Sequence, residues 1–78
     1  MLLLQQGRTD EAASLLREAV GEFERLGAPF EAARARESLA LVAPAAEAST
    51  ALDAARETYE QLGARPHAAR VHALLTKT

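Results

Sequence analysis

The sequence contains no cysteine, tryptophan, asparagine or isoleucine, and its only aromatic residues are two phenylalanines and one tyrosine. The absence of cysteine excludes a disulfide framework and a thiolate metal site. Residues with branched β-carbons, which suit strands, are few, whereas alanine is abundant and favours helices. The sequence therefore predicts an all-α fold. At 78 residues, a single core leaves only a marginal surplus over conformational entropy.

The chain also lacks an excess of either charge and a long hydrophobic run. Nine basic residues are spread among eleven acidic ones, for a formal net charge of −2, so we expect no nucleic-acid binding by this chain alone. The apolar stretch Met1–Leu4 is too short for a signal peptide or a membrane span. We therefore expect a cytoplasmic protein without a membrane contact.

One segment returns in degenerate form 36 residues later. The stretch AASLLREAVGEFERLGAP, residues 12–29, is matched by ASTALDAARETYEQLGARP, which begins at residue 48. The pairs that carry the match include Leu16/Leu52, Ala19/Ala55, Phe23/Tyr59, Gly27/Gly63, Ala33/Ala69, Arg34/Arg70 and Leu39/Leu75. A self-match at a fixed spacing of this size indicates a solenoid of helical repeats.

Helical periodicity and helix-breaking residues predict five helices in one domain, residues 1–78. In each long helix the apolar positions step by 4, 3, 4 and 3, which places them on one face. These positions are Ala12, Leu16, Ala19, Phe23 and Leu26 in the first copy, and Ala48, Leu52, Ala55, Tyr59 and Leu62 in the second. We expect this face, Phe23 and Tyr59 included, to pack in the core.

The predicted helices cover about 1–6, 9–26, 29–42, 46–62 and 66–76. Gly7 is expected to end the first helix and Thr9 to cap the second, with glycine and proline marking the later turns. Gly21 lies inside a helix at a cost of about 1 kcal/mol relative to alanine. It is either tolerated there or required by the close approach of another backbone.

The motif that joins these helices resembles the tetratricopeptide repeat. In that family a Gly-x-x-x-Glu-Ala element is followed by a large and then a small apolar residue, and here Gly7 to Ala12 reads GRTDEA and is followed by Leu16 and Ala19. The resemblance implies antiparallel helix pairs stacked as a short solenoid of roughly two repeats. The phrases FERLGAP and AARAR are similar to variant repeats of large bacterial signalling proteins, including LuxR-type transcription regulators.

The resemblance also implies a concave groove lined by the first helix of each pair. By its spacing, the candidate groove residues are Phe30, Ala33, Arg34, Glu37, Ala69, Arg70 and Ala73. Arg34 and Arg70 are equivalent in the repeat and could form a short ladder for acidic side chains or a terminal carboxylate. The alternative is two solvated arginines.

Nothing in the sequence forms a catalytic or metal-binding constellation. His67 and His72 are five residues apart, which turns them about 140° from each other on a helix, so they do not form an i, i+4 metal pair. Both are expected at the surface. We therefore predict no catalytic residue, no metal and no cofactor.

Three functions remain open at this point. The first is a non-catalytic protein–protein interaction or scaffolding module that binds a protein or peptide. The second is a regulatory repeat segment of a bacterial transcription regulator or signalling ATPase, and the third is a small-molecule sensor with an apolar pocket between helices.

Two repeats are fewer than a solenoid normally needs, so both ends are expected to expose apolar side chains. These are Leu2 to Leu4 at one end and Val71, Leu74 and Leu75 at the other. We therefore expect self-association, or docking onto a longer chain.

Overall fold

The computed structural model describes residues 2–76, with side chains described from Arg8 onward, and this range contains four α-helices and no strand. They are α1 (Leu2–Arg25), α2 (Pro29–Val42), α3 (Ala45–Leu62) and α4 (Arg65–Thr76). The all-α prediction is confirmed. The side chains of Leu2 to Leu4, expected at an exposed end, lie outside the described residues. None of these four helices combines the length and the apolar content needed to cross a bilayer.

The prediction of five helices is wrong, because α1 runs unbroken through Gly7 and Thr9. Gly7 was expected to end one helix and Thr9 to cap the next. Glycine also adopts helical dihedral angles, and its cost of about 1 kcal/mol is offset by good helix formers on both sides. Gly27 and Gly63, which do end helices, differ from Gly7 because a proline follows each of them within three residues.

The turns after α1 and α3 have the same geometry. Gly27 and Gly63 are both left-handed, with φ of 71° and 74°. The N–H of Ala28 donates to the carbonyl of Phe23, and the N–H of Ala64 donates to that of Tyr59, each at 2.8 Å. These bonds close the helix ends in the manner of a Schellman motif. The structure therefore repeats at the turns with the 36-residue period of the sequence.

Consecutive helices pack against each other, and the turns between them span only two or three residues. Turns this short reverse the chain, so neighbouring helices are antiparallel. The turn between α2 and α3 is made by Ala43 in an extended conformation and by Pro44, which cannot continue the preceding helix.

The core has two clusters, in which most of the buried side chains are alanines. One joins α1, α2 and α3 through Ala13, Leu39 and Ala51. The other joins α2, α3 and α4 through Ala33, Ala55, Tyr59, Ala68 and Val71. Tyr59 and Val71 are the largest fully buried side chains among the described residues.

Burial differs from the sequence-based expectation at both ends of the stack. Tyr59 is buried as expected, but its counterpart Phe23 is only half-buried. Val71, expected at an exposed end, is fully buried because it faces the core cluster between α2, α3 and α4. Leu75 is half-buried, and Leu74 is exposed as expected.

Alanine substitution at two glycines should change the free energy of unfolding in opposite directions. Gly63 holds a positive φ that side chains disfavour, so Gly63→Ala is expected to lower the free energy of unfolding by about 1–2 kcal/mol. Gly21 lies within α1, and a Cβ there meets nothing within 4 Å, so no backbone requires the glycine. Gly21→Ala is expected to raise stability by about 1 kcal/mol. Urea denaturation followed by circular dichroism checks both, and equal effects would contradict this account.

Candidate functional site

The sides of α2 and α4 that are turned toward each other border a shallow depression of about 430 Å³. Both helices pack on α3, which sets their spacing. The residues that line the depression come from both helices: Arg34, Glu37, Ser38 and Leu41 from α2, and His67, Arg70 and Leu74 from α4. Charged and apolar side chains therefore meet on one concave surface.

A buried tyrosine and an ion pair meet at the edge of this depression. The hydroxyl of Tyr59 donates to Oε2 of Glu37 at 2.5 Å. The guanidinium of Arg70 donates to both carboxylate oxygens of Glu37, at 2.8 to 3.1 Å. The Glu37 side chain is only 17% exposed. One carboxylate on α2 therefore connects α3 and α4 through three side chains.

Three aromatic rings pack beside this carboxylate. The Tyr59 and His67 rings are stacked with centroids 5.0 Å apart, and Phe30 meets both edge-on at 5.7 and 5.3 Å. Nδ1 of His67 lies 2.9 Å from the Arg70 guanidinium. Because arginine only donates, Nδ1 accepts, and the proton of the neutral ring is on Nε2. The prediction of a surface histidine is correct for His72 and wrong for His67, which is half-buried.

The environment of Tyr59 keeps its hydroxyl protonated. Burial, followed by the hydrogen bond to Glu37 and the charge of Glu37, raises the pKa of Tyr59 to about 12, although Arg70 and Arg34 oppose the shift. A phenol with this pKa is neutral at physiological pH. Tyr59 therefore acts as a hydrogen-bond donor that positions Glu37, and it does not supply a base or a nucleophile.

Arg34, Ser38 and two leucines are the exposed residues of the depression that no ion pair occupies. Arg34 is exposed and has no carboxylate partner among the described residues, unlike its counterpart Arg70. Leu41 is 84% exposed and Leu74 is 39% exposed. A free guanidinium and two solvent-facing leucines thus border the same concave surface.

The structure brings together three of the seven candidate groove residues, Arg34, Glu37 and Arg70. Phe30 is half-buried among the aromatic rings, and Ala33 is completely buried in the core. Ala69 and Ala73 are exposed on α4 but do not line the depression.

Sequence reasoning missed five residues of the site: Tyr59 as the partner of Glu37, and Ser38, Leu41, His67 and Leu74. One signal could have indicated the first of them. Tyr59 places a hydroxyl on a buried stripe where its counterpart is Phe23, and a buried hydroxyl requires a partner.

An ion pair on another surface of the stack joins α1 to α3. The Arg17 guanidinium donates to both carboxylate oxygens of Glu47, at 2.6 and 2.7 Å. The hydrogen bond with Arg17 holds the pKa of Glu47 below its usual range. This contact is 30 residues apart in sequence, so helical spacing alone could not predict it.

No group of three or more histidine, cysteine, aspartate or glutamate residues within residues 2–76 could hold a metal ion. No family model, curated protein or solved structure matches this chain. The candidate site therefore rests on the geometry described above.

Proposed function

We propose that this chain is a non-catalytic protein-interaction module, built as a short solenoid of two tetratricopeptide-like repeats, and that the depression between α2 and α4 binds a segment of a protein partner. The 36-residue match, the equal geometry of the turns at Gly27 and Gly63, and the packing of consecutive antiparallel helices support the repeat architecture.

The observation that carries the binding proposal is the combination of Arg34 with Leu41 and Leu74. An exposed guanidinium offers two parallel hydrogen bonds to a carboxylate. Exposed leucines beside it offer apolar area that a ligand can remove from water. The matching ligand is an acidic segment with an aliphatic or aromatic side chain near its carboxylate.

The other charged residues of the depression, Glu37 and Arg70, are held by contacts within the chain. Glu37 is occupied by Tyr59 and Arg70, so it is not free to repel an acidic ligand as an isolated carboxylate would. The Arg70 guanidinium is held by the same carboxylate and by His67. A rigid surface of this kind lowers the entropy cost of binding a flexible segment.

The proposal is tested by titrating the chain with two decapeptides of alternating sequence, one of aspartate and leucine and one of lysine and leucine. Nuclear magnetic resonance follows the signals of the Arg34 side chain and of the Leu41 and Leu74 methyl groups. We expect the acidic peptide to shift these signals and the basic peptide to leave them unchanged, because only a carboxylate pairs with Arg34.

Matched arginine variants control for the charge. Arg34→Gln is expected to weaken binding of the acidic peptide by roughly tenfold, as befits the loss of a hydrogen bond to a charged group. Arg65→Gln removes the same charge from an exposed position outside the depression and should change binding less than twofold. Equal weakening by both variants, or peptide-induced shifts elsewhere only, would overturn the proposal.

A further inference from the structure

The first and last helices of the stack, α1 and α4, correspond by the repeat to α3 and α2, which pack on each other inside the chain. Within the chain α2 packs on α3. By the 36-residue match, α4 is the counterpart of α2, and the part of α1 from residue 9 onward is the counterpart of α3. In the described range, α4 therefore lacks a following helix that would pack on it as α3 packs on α2.

Exposure shows which positions lack this cover. Ala33 and Tyr59 are completely buried between α2 and α3, whereas the counterpart of Ala33, Ala69, is exposed and that of Tyr59, Phe23, is half-buried. Leu15 on α1 is 59% exposed, although its counterpart on α3 is buried. These apolar side chains of α1 and α4 are therefore more exposed than their counterparts, which are buried inside the chain.

One polar contact joins α2 to α3, and both of its residues have apolar counterparts at the ends of the stack. Glu37 of α2 accepts the hydroxyl of Tyr59 of α3. Their counterparts are Ala73 of α4 and Phe23 of α1, both apolar. A change on one side alone would leave a buried polar group without its partner. The paired change fits an apolar contact between Ala73 and Phe23.

We propose that a second copy of this chain covers each end, with α4 of one copy packed on α1 of the next as α2 packs on α3. In this arrangement residue i of the next copy, from residue 9 onward, takes the place of residue i+72, which is two periods of the repeat. The interface is heterologous, so the assembly grows as an open stack and does not stop at a dimer.

One ion pair within the chain has no equivalent at the junction between copies. Arg17 and Glu47 join α1 to α3, and their counterparts at the junction are Asp53 and Glu11 of the next copy. Two carboxylates there repel each other, so the junction is weaker than the inner interface. Added salt screens this repulsion and is expected to tighten the association.

Sedimentation velocity of the full chain across a hundredfold concentration range is the first test. We expect the weight-average mass to rise continuously beyond that of a dimer, with helical circular dichroism unchanged. A monomer throughout the range, or a dimer that does not grow further, would overturn the proposal.

A disrupting variant and its control locate the junction. Ala69 is exposed in the single chain, so Ala69→Glu should leave the helices intact and weaken association by roughly tenfold or more, because its counterpart Ala33 has no room for a longer, charged side chain. Gln61→Glu adds the same charge at an exposed position whose counterpart, Arg25, pairs with Glu22 of its own helix. This control should associate as the unchanged chain does, and equal effects would count against the junction.

A strengthening variant tests the register without relying on disruption. The double substitution Phe23→Tyr with Ala73→Glu rebuilds at the junction the contact of Tyr59 with Glu37, and places Arg34 of the next copy where Arg70 lies in the inner interface. We expect tighter association than for the unchanged chain, although the double variant adds a negative charge. Weaker association of the double variant than of each single variant would contradict the proposed register.

Discussion

Replacing Tyr59 by alanine is expected to unfold the chain at room temperature. The Tyr59 side chain is completely buried, packs against the rings of Phe30 and His67, and donates to Glu37. Removing a buried aromatic ring costs about 3–5 kcal/mol. A domain of this size rarely has more than about 3–5 kcal/mol of stability in total.

Circular dichroism without denaturant checks this loss of structure, and urea denaturation of the unchanged chain and of two further variants provides the comparison. Phe23→Ala removes the counterpart ring from a half-buried position and should cost less than half as much. Tyr59→Phe keeps the ring but loses the hydrogen bond to a carboxylate, for an expected cost of about 1.5–3 kcal/mol. A Tyr59→Ala protein as stable as the Phe23→Ala protein would contradict the central place of this ring.

Raising the pH from about 10 to about 12 is expected to lower the stability of the chain by roughly 2–3 kcal/mol through Tyr59 alone. The pKa of Tyr59 is raised to about 12 in the folded chain, whereas tyrosine in an unfolded chain ionises near its ordinary value of 10. Between these values the unfolded chain binds fewer protons than the folded one, so stability falls as the pH rises. Below pH 10 the contribution of Tyr59 is fully present.

Tyrosinate absorbance measures this titration directly, because Tyr59 is the only tyrosine. The midpoint should lie well above that of the same chain in concentrated urea. In denaturation experiments, the Tyr59→Phe variant is expected to lose much less stability between pH 10 and pH 12 than the unchanged chain does. A midpoint near 10 in the folded chain would show that the hydroxyl is neither desolvated nor held by Glu37.

The sequence predicted α2 and the turns well because strong helix-breaking residues surround them. Pro29 begins α2, and Ala43 with Pro44 ends it, as expected. Gly7 misled the prediction, because a glycine ends a helix only when the following chain turns away, and no proline follows Gly7 closely in the sequence. A local signal of this kind cannot show whether helix propensity on both sides will override it.

The candidate site could be predicted only as far as helical spacing reaches. Arg34 and Glu37 share a face because they are three residues apart, and the repeat relates Arg34 to Arg70. The bond from Tyr59 to Glu37 depends on how α2 packs on α3, which the sequence pattern does not specify. For the same reason the spacing placed Ala33 in the groove, although the packing of α2 on α3 buries it in the core.

The predominance of alanine among the buried residues has a consequence for calorimetry. The heat-capacity change of unfolding follows the apolar area that unfolding exposes, and a buried alanine contributes little of it. With Tyr59 and Val71 as the largest fully buried side chains described, this change should fall below the usual value of about 12–15 cal/mol/K per residue. The curve of unfolding free energy against temperature would then be shallow, so that cooling weakens the folded chain less than it weakens domains with large aliphatic cores.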